Sequence, residues 1–596
     1  MRQLFRNASL AVQTVGGHVN DDGALLAMQL FRRLPSTVRG RLAGSLRRVL
    51  PIPLEDHPLG VFSALASGDA DAVCRRIDSA LARPELSPSR CCTLADLALL
   101  ADRPDLAERL LSRARGGEAR TAAGSARRAS RIAGAQARLH WHRGEVSSAV
   151  GVLAGAVRPA QRKQRARLDG ERRVLEGWRP SLAPVAGYRP VHGRVLHVLT
   201  NSLPHTGSGY AQRSHSVLTS QRDAGLDVLA VTRIGYPVQI GALAARSADV
   251  VDGVEYRRIL PSALPGTVDG RLQRQAEELL REALRFRPSV LHTTTHFVNA
   301  LVVRAVAEAL GLPWVYEVRG QLADTWASTR GPEAKDSERY RLFRTREADV
   351  MGSADLVVTL GGRMRERILQ AGVPAARVLL APNGVGEDFL DEPVASEDAR
   401  RALGLPPGFY VGTVSSLVPY EGLETLVEAF ALLAEQLPEL RLLVVGDGVS
   451  RQALVEAAAR HGVSDRAVFP GRVPREQARL HHAALDVFVV PRRDLEVTRS
   501  VTPLKPVEAM AVARPVVASR LPALAEIVRD GVTGLLVEPD DARSLAEALR
   551  RLAGDQDLAE RLGRAGRESV LAERTWASNA AKMSAAYAAL GKGAGE

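Results

Sequence analysis

Between residues 194 and 519 short aliphatic runs alternate with helical stretches, and the alternation happens twice. RVLHVLT (Arg194–Thr200), DVLAVT (Asp227–Thr232), SVLHTT (Ser289–Thr294), WVYEV (Trp314–Val318) and DLVVTL (Asp355–Leu360) form the first series. After APNGVGEDF (Ala381–Phe389) a second begins with YVGTVS (Tyr410–Ser415) and RLLVVG (Arg441–Gly446) and continues through VFPG (Val468–Gly471), DVFVVP (Asp486–Pro491) and PVVAS (Pro515–Ser519). Runs without polar alternation predict strands covered on both faces, and strands separated by helices must lie parallel. The predicted class is α/β, with two doubly wound Rossmann-like units. Ligands in such sheets bind beyond the carboxyl ends of the strands, so the cleft between the units is the expected site.

Residues 1–180 differ in kind: they are rich in Ala, Leu and Arg and carry almost no strand signal. SGDADAVCRRI (Ser67–Ile77), ADRPDLAERLL (Ala101–Leu111) and HRGEVSSAVGVL (His142–Leu153) each place a polar turn before an amphipathic helix, and the first two start 34 residues apart. That resembles a degenerate tetratricopeptide array. PSLAPVAGYRP (Pro180–Pro190) reads as a linker. The predicted organisation is an all-helical domain (1–180), a linker (181–193), a first doubly wound unit (194–390), a second (391–576) and a final helix and tail (577–596). A chain beginning near Tyr188 is expected to keep ligand binding without the helical domain.

The net charge of +13 admits anionic lipid, anionic sugar or nucleic acid as partners. Aromatic residues at 4% are too few for a base-stacking array, which argues against nucleic acid. Basic residues gather at Phe31–Leu50 and Ala160–Arg173, either as a solvated helix face or as a membrane-surface helix. No apolar run is long enough to span a bilayer, and the first residues lack a signal-peptide core. Cys74, Cys91 and Cys92 form neither a disulfide framework nor a metal site, so a reducing cytoplasm is expected, with peripheral contact at the inner membrane face or a protein partner open to residues 1–180.

VTPLKPVEAMAVARPVVAS (Val501–Ser519) carries the densest chemistry. Thr502 and Pro503 are expected to open a helix, since a proline at the first helical position has no donor to waste. Free amides there, with the helix dipole behind them, attract phosphate. Lys505 stands at this point, one of five lysines among 80 basic residues. Glu508, one turn on, has two acceptor oxygens suited to a pair of neighbouring hydroxyls such as those of a ribose. The pattern suggests a nucleoside-diphosphate site; a capped amphipathic helix under a buried strand reads the same way. In NSLPHTGSGYAQRSH (Asn201–His215), Gly207, Ser208 and Gly209 let backbone approach a ligand, but a dinucleotide fingerprint is absent. Glu317 and Arg319 in YEVRGQLAD pair with each other or act in the cleft. His292 and His296 fall on a strand at a spacing unsuited to metal, and Asp69–Asp71 reads as a helix start.

Taken in order, VVGDG (Val444–Gly448), VFPGRVP (Val468–Pro474), ALDVFVVP (Ala484–Pro491), PVEAMAVARPVVAS (Pro506–Ser519) and EIVRDGVTGLLVEPDD (Glu526–Asp541) resemble the retaining family-4 glycosyltransferases of the GT-B fold, over about residues 194–576. TPLKP and YEGL resemble members working in bacterial surface-polysaccharide pathways. The resemblance implies a nucleotide-diphosphate sugar as co-substrate, no other cofactor, no metal, and a glycan or lipid-linked acceptor. It implies front-face transfer with no protein nucleophile. Glu508 would hold the ribose. Lys505, with Pro503 and Leu504 beside it, would hold the phosphates. The base would lie against Gly471, Arg472 and Val473. Tyr210 and Arg213 would point from the helix after Gly207–Gly209 toward donor phosphates and acceptor. Lys505, Arg319 and Glu317 are the implied catalytic groups.

Two departures stand out. The family's diphosphate-gripping Arg and Lys are replaced by Ser416 and Glu421, and the first of its two glutamates by Ser500. Lys505 is expected to compensate, with Arg492, Arg493 and Arg499 nearby, because a guanidinium fork holds phosphate oxygens in pairs. The expected activity is glycosyl transfer from a nucleotide-sugar to a cell-surface acceptor. The alternatives are an inactive sugar-nucleotide scaffold or sensor and a GT-B sugar-nucleotide epimerase.

Overall fold

The structure is a computed structural model. It describes residues 3, 5–14, 57–67, 69–116 and 122–593, so the basic stretch Phe31–Leu50 lies outside the described residues.

The first unit contains β1 (Arg194–Leu199), β2 (Asp227–Thr232), β3 (Ala248–Val251), β4 (Val254–Arg258), β5 (Val290–Thr294), β6 (Trp314–Val318), β7 (Leu356–Thr359) and β8 (Val378–Leu380). Their order in the sheet is β3-β4-β2-β1-β5-β6-β7-β8. Every pairing is parallel except the β3–β4 hairpin at the edge, where Asp252 and Gly253 both take positive φ in a two-residue turn. The second unit contains β9 (Phe409–Val414), β10 (Leu440–Val445), β11 (Ala467–Gly471), β12 (Val487–Val490), β13 (Val516–Ser519) and β14 (Gly534–Val537), ordered β11-β10-β9-β12-β13-β14 and parallel throughout. The strand order reverses beside β1 in one sheet and beside β9 in the other, and a crevice opens at such switch points.

The central strands are buried on both faces, which is why they read as unbroken aliphatic runs. In the first sheet one face packs on helices Val268–Phe286 and Phe297–Leu310. The other takes the last helix, Trp576–Gly593, whose Trp576, Met583 and Tyr587 join Val195, Val290 and Val358. The chain crosses between the units twice, side by side: Val385 N donates to Arg574 O at 2.9 Å and Trp576 N to Val385 O at 3.1 Å.

Described residues 58–176 are helical. The repeat's polar turns precede helices Ala70–Ala82, Pro104–Gly116 and Val146–Gly151. Asp69 caps the first, accepting from Ala72 N at 2.8 Å, which accounts for the Asp69–Asp71 pattern without a metal. Val73, Ile77, Leu94, Leu106 and Leu110 form the core of these helices.

The boundary with the first unit is not the free linker that residues 181–193 suggest. Val146, Val174 and Leu175 are buried in the core of the first unit itself. Arg173 pairs with Asp269, Val185 N donates to Ala309 O at 2.8 Å, and Tyr188 Oη donates to Pro288 O at 2.7 Å. Asn7, on the described helical residues 5–14, donates to Leu243 O and Ala245 O. The polar and proline-rich composition hid an apolar seam. A chain beginning at Tyr188 is therefore expected to unfold at a lower temperature than one beginning at Pro159. It loses Val174 and Leu175, each contributing about 1.5–3 kcal/mol when buried. Thermal unfolding of the two truncated proteins measures this; equal melting temperatures would show that the seam contributes nothing.

Candidate functional site

The loop after β9, Ser415–Glu421, is seated by glycines on its neighbours. A Cβ at Gly446 would lie 1.8 Å from Ser415 O and one at Gly448 2.1 Å from Leu417 O, so both residues make room for the loop. Gly422 has φ +65° and a Cβ there would lie 2.0 Å from Pro491 O. Only glycine fits, and the turn holding Glu421 therefore lies directly against the segment that follows β12.

This contact brings three loops of the second sheet together. Glu421 is buried and accepts from Arg492 Nε at 3.1 Å and Arg492 Nη2 at 3.0 Å. Its Oε1 also accepts from Lys505 Nζ at 3.0 Å. Lys505 donates as well to Ser415 Oγ, and Arg492 Nη1 to Val501 O at 2.9 Å. Burial pushes the Glu421 carboxyl up, but Arg492 and Lys505 outweigh it and hold the group at about 2. Burial pulls Lys505 below the usual lysine range against the opposing pull of Glu421.

Helix Lys505–Ala511 begins later than expected, with Leu504 as cap and Pro506 inside the first turn. Pro503 is buried in the loop before it, and Thr502 O accepts from Asn383 Nδ2 at 2.9 Å. That bond ties the loop to the crossing, and Pro506 has no N–H to give Thr502 O, so the helical ladder starts later. Leu504 packs against the first unit's core. Glu508 lies one turn into the helix, its side chain 14% exposed and its Oε2 3.5 Å from His482 Nε2. Burial raises its carboxyl, but His482, then Arg475 and Lys505, bring it below the usual range. His482 is fully buried, its ring tilted against Phe488 at 5.1 Å, and neither ring nitrogen has another hydrogen-bond partner. No sequence motif marks it.

The remaining donor-side candidates divide. Gly471 ends β11 with φ +85°, Arg472 is exposed and Val473 half-buried, so this turn is open to solvent beside the crevice. Ser416 is exposed on the β9 loop. Arg493 and Arg499 are exposed and turn away from Lys505, pairing with Asp540 at 3.4 Å and Asp494 at 2.6 Å. Arg492 is the arginine that joins the cluster.

On the facing unit Ser208 caps helix Gly209–Asp223, accepting from Ala211 N at 3.3 Å, with Gly207 and Gly209 exposed on either side of it. Tyr210 reaches over Gly320, whose added Cβ would sit 3.2 Å from Tyr210 Oη and 3.6 Å from Val501 Cγ2. The two walls of the cleft meet there. Arg213, Glu317 and Arg319 do not face the cleft. Glu317 has no exposed surface and Arg213 and Arg319 are each 3% exposed. Glu317 pairs with Arg213 at 2.7 Å and with Arg319 at 2.8 Å. Burial pushes its carboxyl up, but Arg319 and Arg213 hold it well below the usual range. Arg213 also donates to Ala381 O and Asn383 Oδ1, at the crossing between units. The expected sugar-side role of Glu317 and Arg319 is thus corrected: their charges are spent on one another and on Arg213 inside the core. His292 binds Tyr587 Oη at 2.6 Å within the same core, and His296 caps helix Phe297–Leu310.

Two doubly wound parallel sheets facing one cleft, with the chain returning to the first unit at its end, define the GT-B architecture. Residues 396–569 match the family described as glycosyl transferases group 1, and residues 208–384 the glycosyl transferase 4-like domain. A GDP-mannose-dependent alpha-(1-6)-phosphatidylinositol monomannoside mannosyltransferase of Mycolicibacterium smegmatis is 33% identical over 260 residues, 43% of this chain and 68% of that relative. A D-inositol 3-phosphate glycosyltransferase of Actinosynnema mirum is 30% identical over 395 residues, 62% of this chain and 90% of that relative. Sucrose-phosphate synthase from Thermosynechococcus elongatus shares the fold at TM-score 0.56 and 24% identity, covering 67% of this chain and 99% of that one. The chain belongs to the family-4 glycosyltransferases of the GT-B fold, enzymes of glycosyl transfer from nucleotide-sugar donors. The matches leave the helical residues before Ser208 outside both family domains. No described helix is long and apolar enough to cross a membrane.

Proposed function

We propose that this protein is a retaining glycosyltransferase that moves a hexose from a nucleoside-diphosphate sugar to a glycan or lipid-linked acceptor. The observation that carries the proposal is the placement of Arg492, Lys505 and Glu508 in the connection and helix that leave the carboxyl end of β12, with Arg492 and Lys505 meeting on the loop after β9. Lys505 and Arg492 supply positive charge where a leaving diphosphate gains negative charge, and Glu508 supplies paired acceptors one helical turn away. Charge stabilisation and positioning then perform the reaction, without a metal ion. Glu317 is buried in the core, and transfer is taken to proceed on the face the diphosphate leaves, as the resemblance implies. The relatives' names point to mannosyl or similar donors and to acceptors bearing an inositol phosphate.

Lys505→Ala tests the assignment. Its affinity for a nucleoside diphosphate is expected to fall about 10- to 100-fold, the worth of one charged hydrogen bond, while the bare nucleoside binds as before. Calorimetry with GDP, UDP, guanosine and uridine measures both. Equal losses for diphosphate and nucleoside would show that Lys505 acts through packing. Turnover with a donor and a lipid extract separates the transferase from a scaffold that binds without reaction, and donor conversion without acceptor would reveal an epimerase.

A further inference from the structure

We propose that Glu421 is a positioning residue: its single carboxylate holds the Arg492 guanidinium and the Lys505 ammonium side by side as a two-cation clamp for the donor diphosphate. The inference rests on the reading of this site as a nucleotide-sugar site and adds a residue whose charge is the wrong sign for direct phosphate contact.

Arg492 and Lys505 arrive from different loops, one after β12 and one before helix Lys505–Ala511. Arg492 is 6% exposed and the Lys505 side chain 21%. Two cations brought this close in a partly desolvated crevice repel each other, and long side chains have many rotamers to lose. Glu421 answers both problems. It takes two hydrogen bonds from Arg492 and one from Lys505. Its own place is set by backbone: Gly422 against Pro491 O, and Arg493 N donating to Tyr420 O at 3.1 Å. The carboxylate is therefore anchored by the loop, and the cations are anchored by the carboxylate.

Donors remain for a ligand. An ammonium has three N–H bonds, and Lys505 uses two of them, on Ser415 Oγ and Glu421. A guanidinium has five, and Arg492 spends three on Glu421 and Val501 O. The cluster's charge is +1, from two cations and one anion.

The sign of one measurement decides the matter. If Glu421 were only a neighbouring negative charge, Glu421→Gln would strengthen diphosphate binding by removing repulsion. As a positioning residue it should do the reverse, weakening GDP or UDP about 10- to 100-fold with guanosine and uridine unchanged. With Lys505→Ala the loss should be non-additive, because Glu421 acts through Lys505. Glu421→Asp keeps the cluster at +1 but draws the carboxylate back by one methylene from Arg492 and Lys505, so it serves if the glutamine variant does not fold. It too should lose diphosphate affinity while keeping nucleoside affinity. Unchanged or tighter diphosphate binding in either folded variant, beside a wild type that binds, overturns the positioning role alone. A wild type that binds no nucleoside diphosphate overturns the site reading and this inference together.

Discussion

Glu508→Ala is expected to lower kcat/KM by about 10- to 10⁴-fold and to leave the protein folded. The carboxylate lies one turn beyond Lys505 and is partly exposed to the crevice. A sugar's neighbouring hydroxyls would meet both of its oxygens, and each charged hydrogen bond contributes about 1.5–3 kcal/mol. The fold depends on it little. Glu508 forms one long contact, to His482 at 3.5 Å, and alanine is a better helix former. Steady-state kinetics with the preferred donor, beside a melting curve, separates the two effects. Wild-type kcat/KM in the folded variant would remove Glu508 from the donor site.

The residues that sequence exposed and those it hid differ for physical reasons. Lys505 stood out because lysine is rare here. Arg492 did not, since it is one of 75 arginines (80 basic residues less five lysines) and is followed at once by Arg493. Which of the adjacent pair turns inward depends on the turn at Gly422, a contact between distant loops that no local pattern encodes. His482 was hidden because a histidine on a helix carries no signal until Glu508 is seen beside it.

The strands divide in the same way. β1, β2, β5 and β6 are buried aliphatic runs and were legible within a residue or two. β3 and β4 form an edge hairpin in which Val250 is 69% exposed and VEYRR places charge on the outer face. β8 spans three half-exposed residues. Edge strands lack the second covered face that makes a parallel strand read as continuous hydrophobe. The seam between the helical region and the first unit escaped because Val174 and Leu175 belong to a helix whose other faces are strongly basic, and Val146 opens a helix of only six residues.

Glu317→Ala is expected to destabilise the whole protein by about 3–5 kcal/mol, because it leaves buried cations without their anion. Arg213 and Arg319 both lose their carboxylate, and neither can reach water from a position 3% exposed. The damage extends beyond the first sheet. Arg213 also holds Ala381 O and Asn383 at the crossing, and Asn383 in turn holds Thr502 O in the loop that carries Lys505. A guanidinium free to rotate would loosen the register between the units as well as the core. Against a total of about 5–15 kcal/mol for a typical domain, the loss is a large fraction. Glu317→Gln keeps the shape and one acceptor oxygen and is expected to cost less. Urea unfolding of wild type and both variants gives the ranking. The experiment also decides between two roles for Glu317. A catalytic carboxylate in the cleft would lose kcat at unchanged stability, whereas a structural anchor loses stability first. Unchanged unfolding midpoints with abolished turnover would return Glu317 to the reaction.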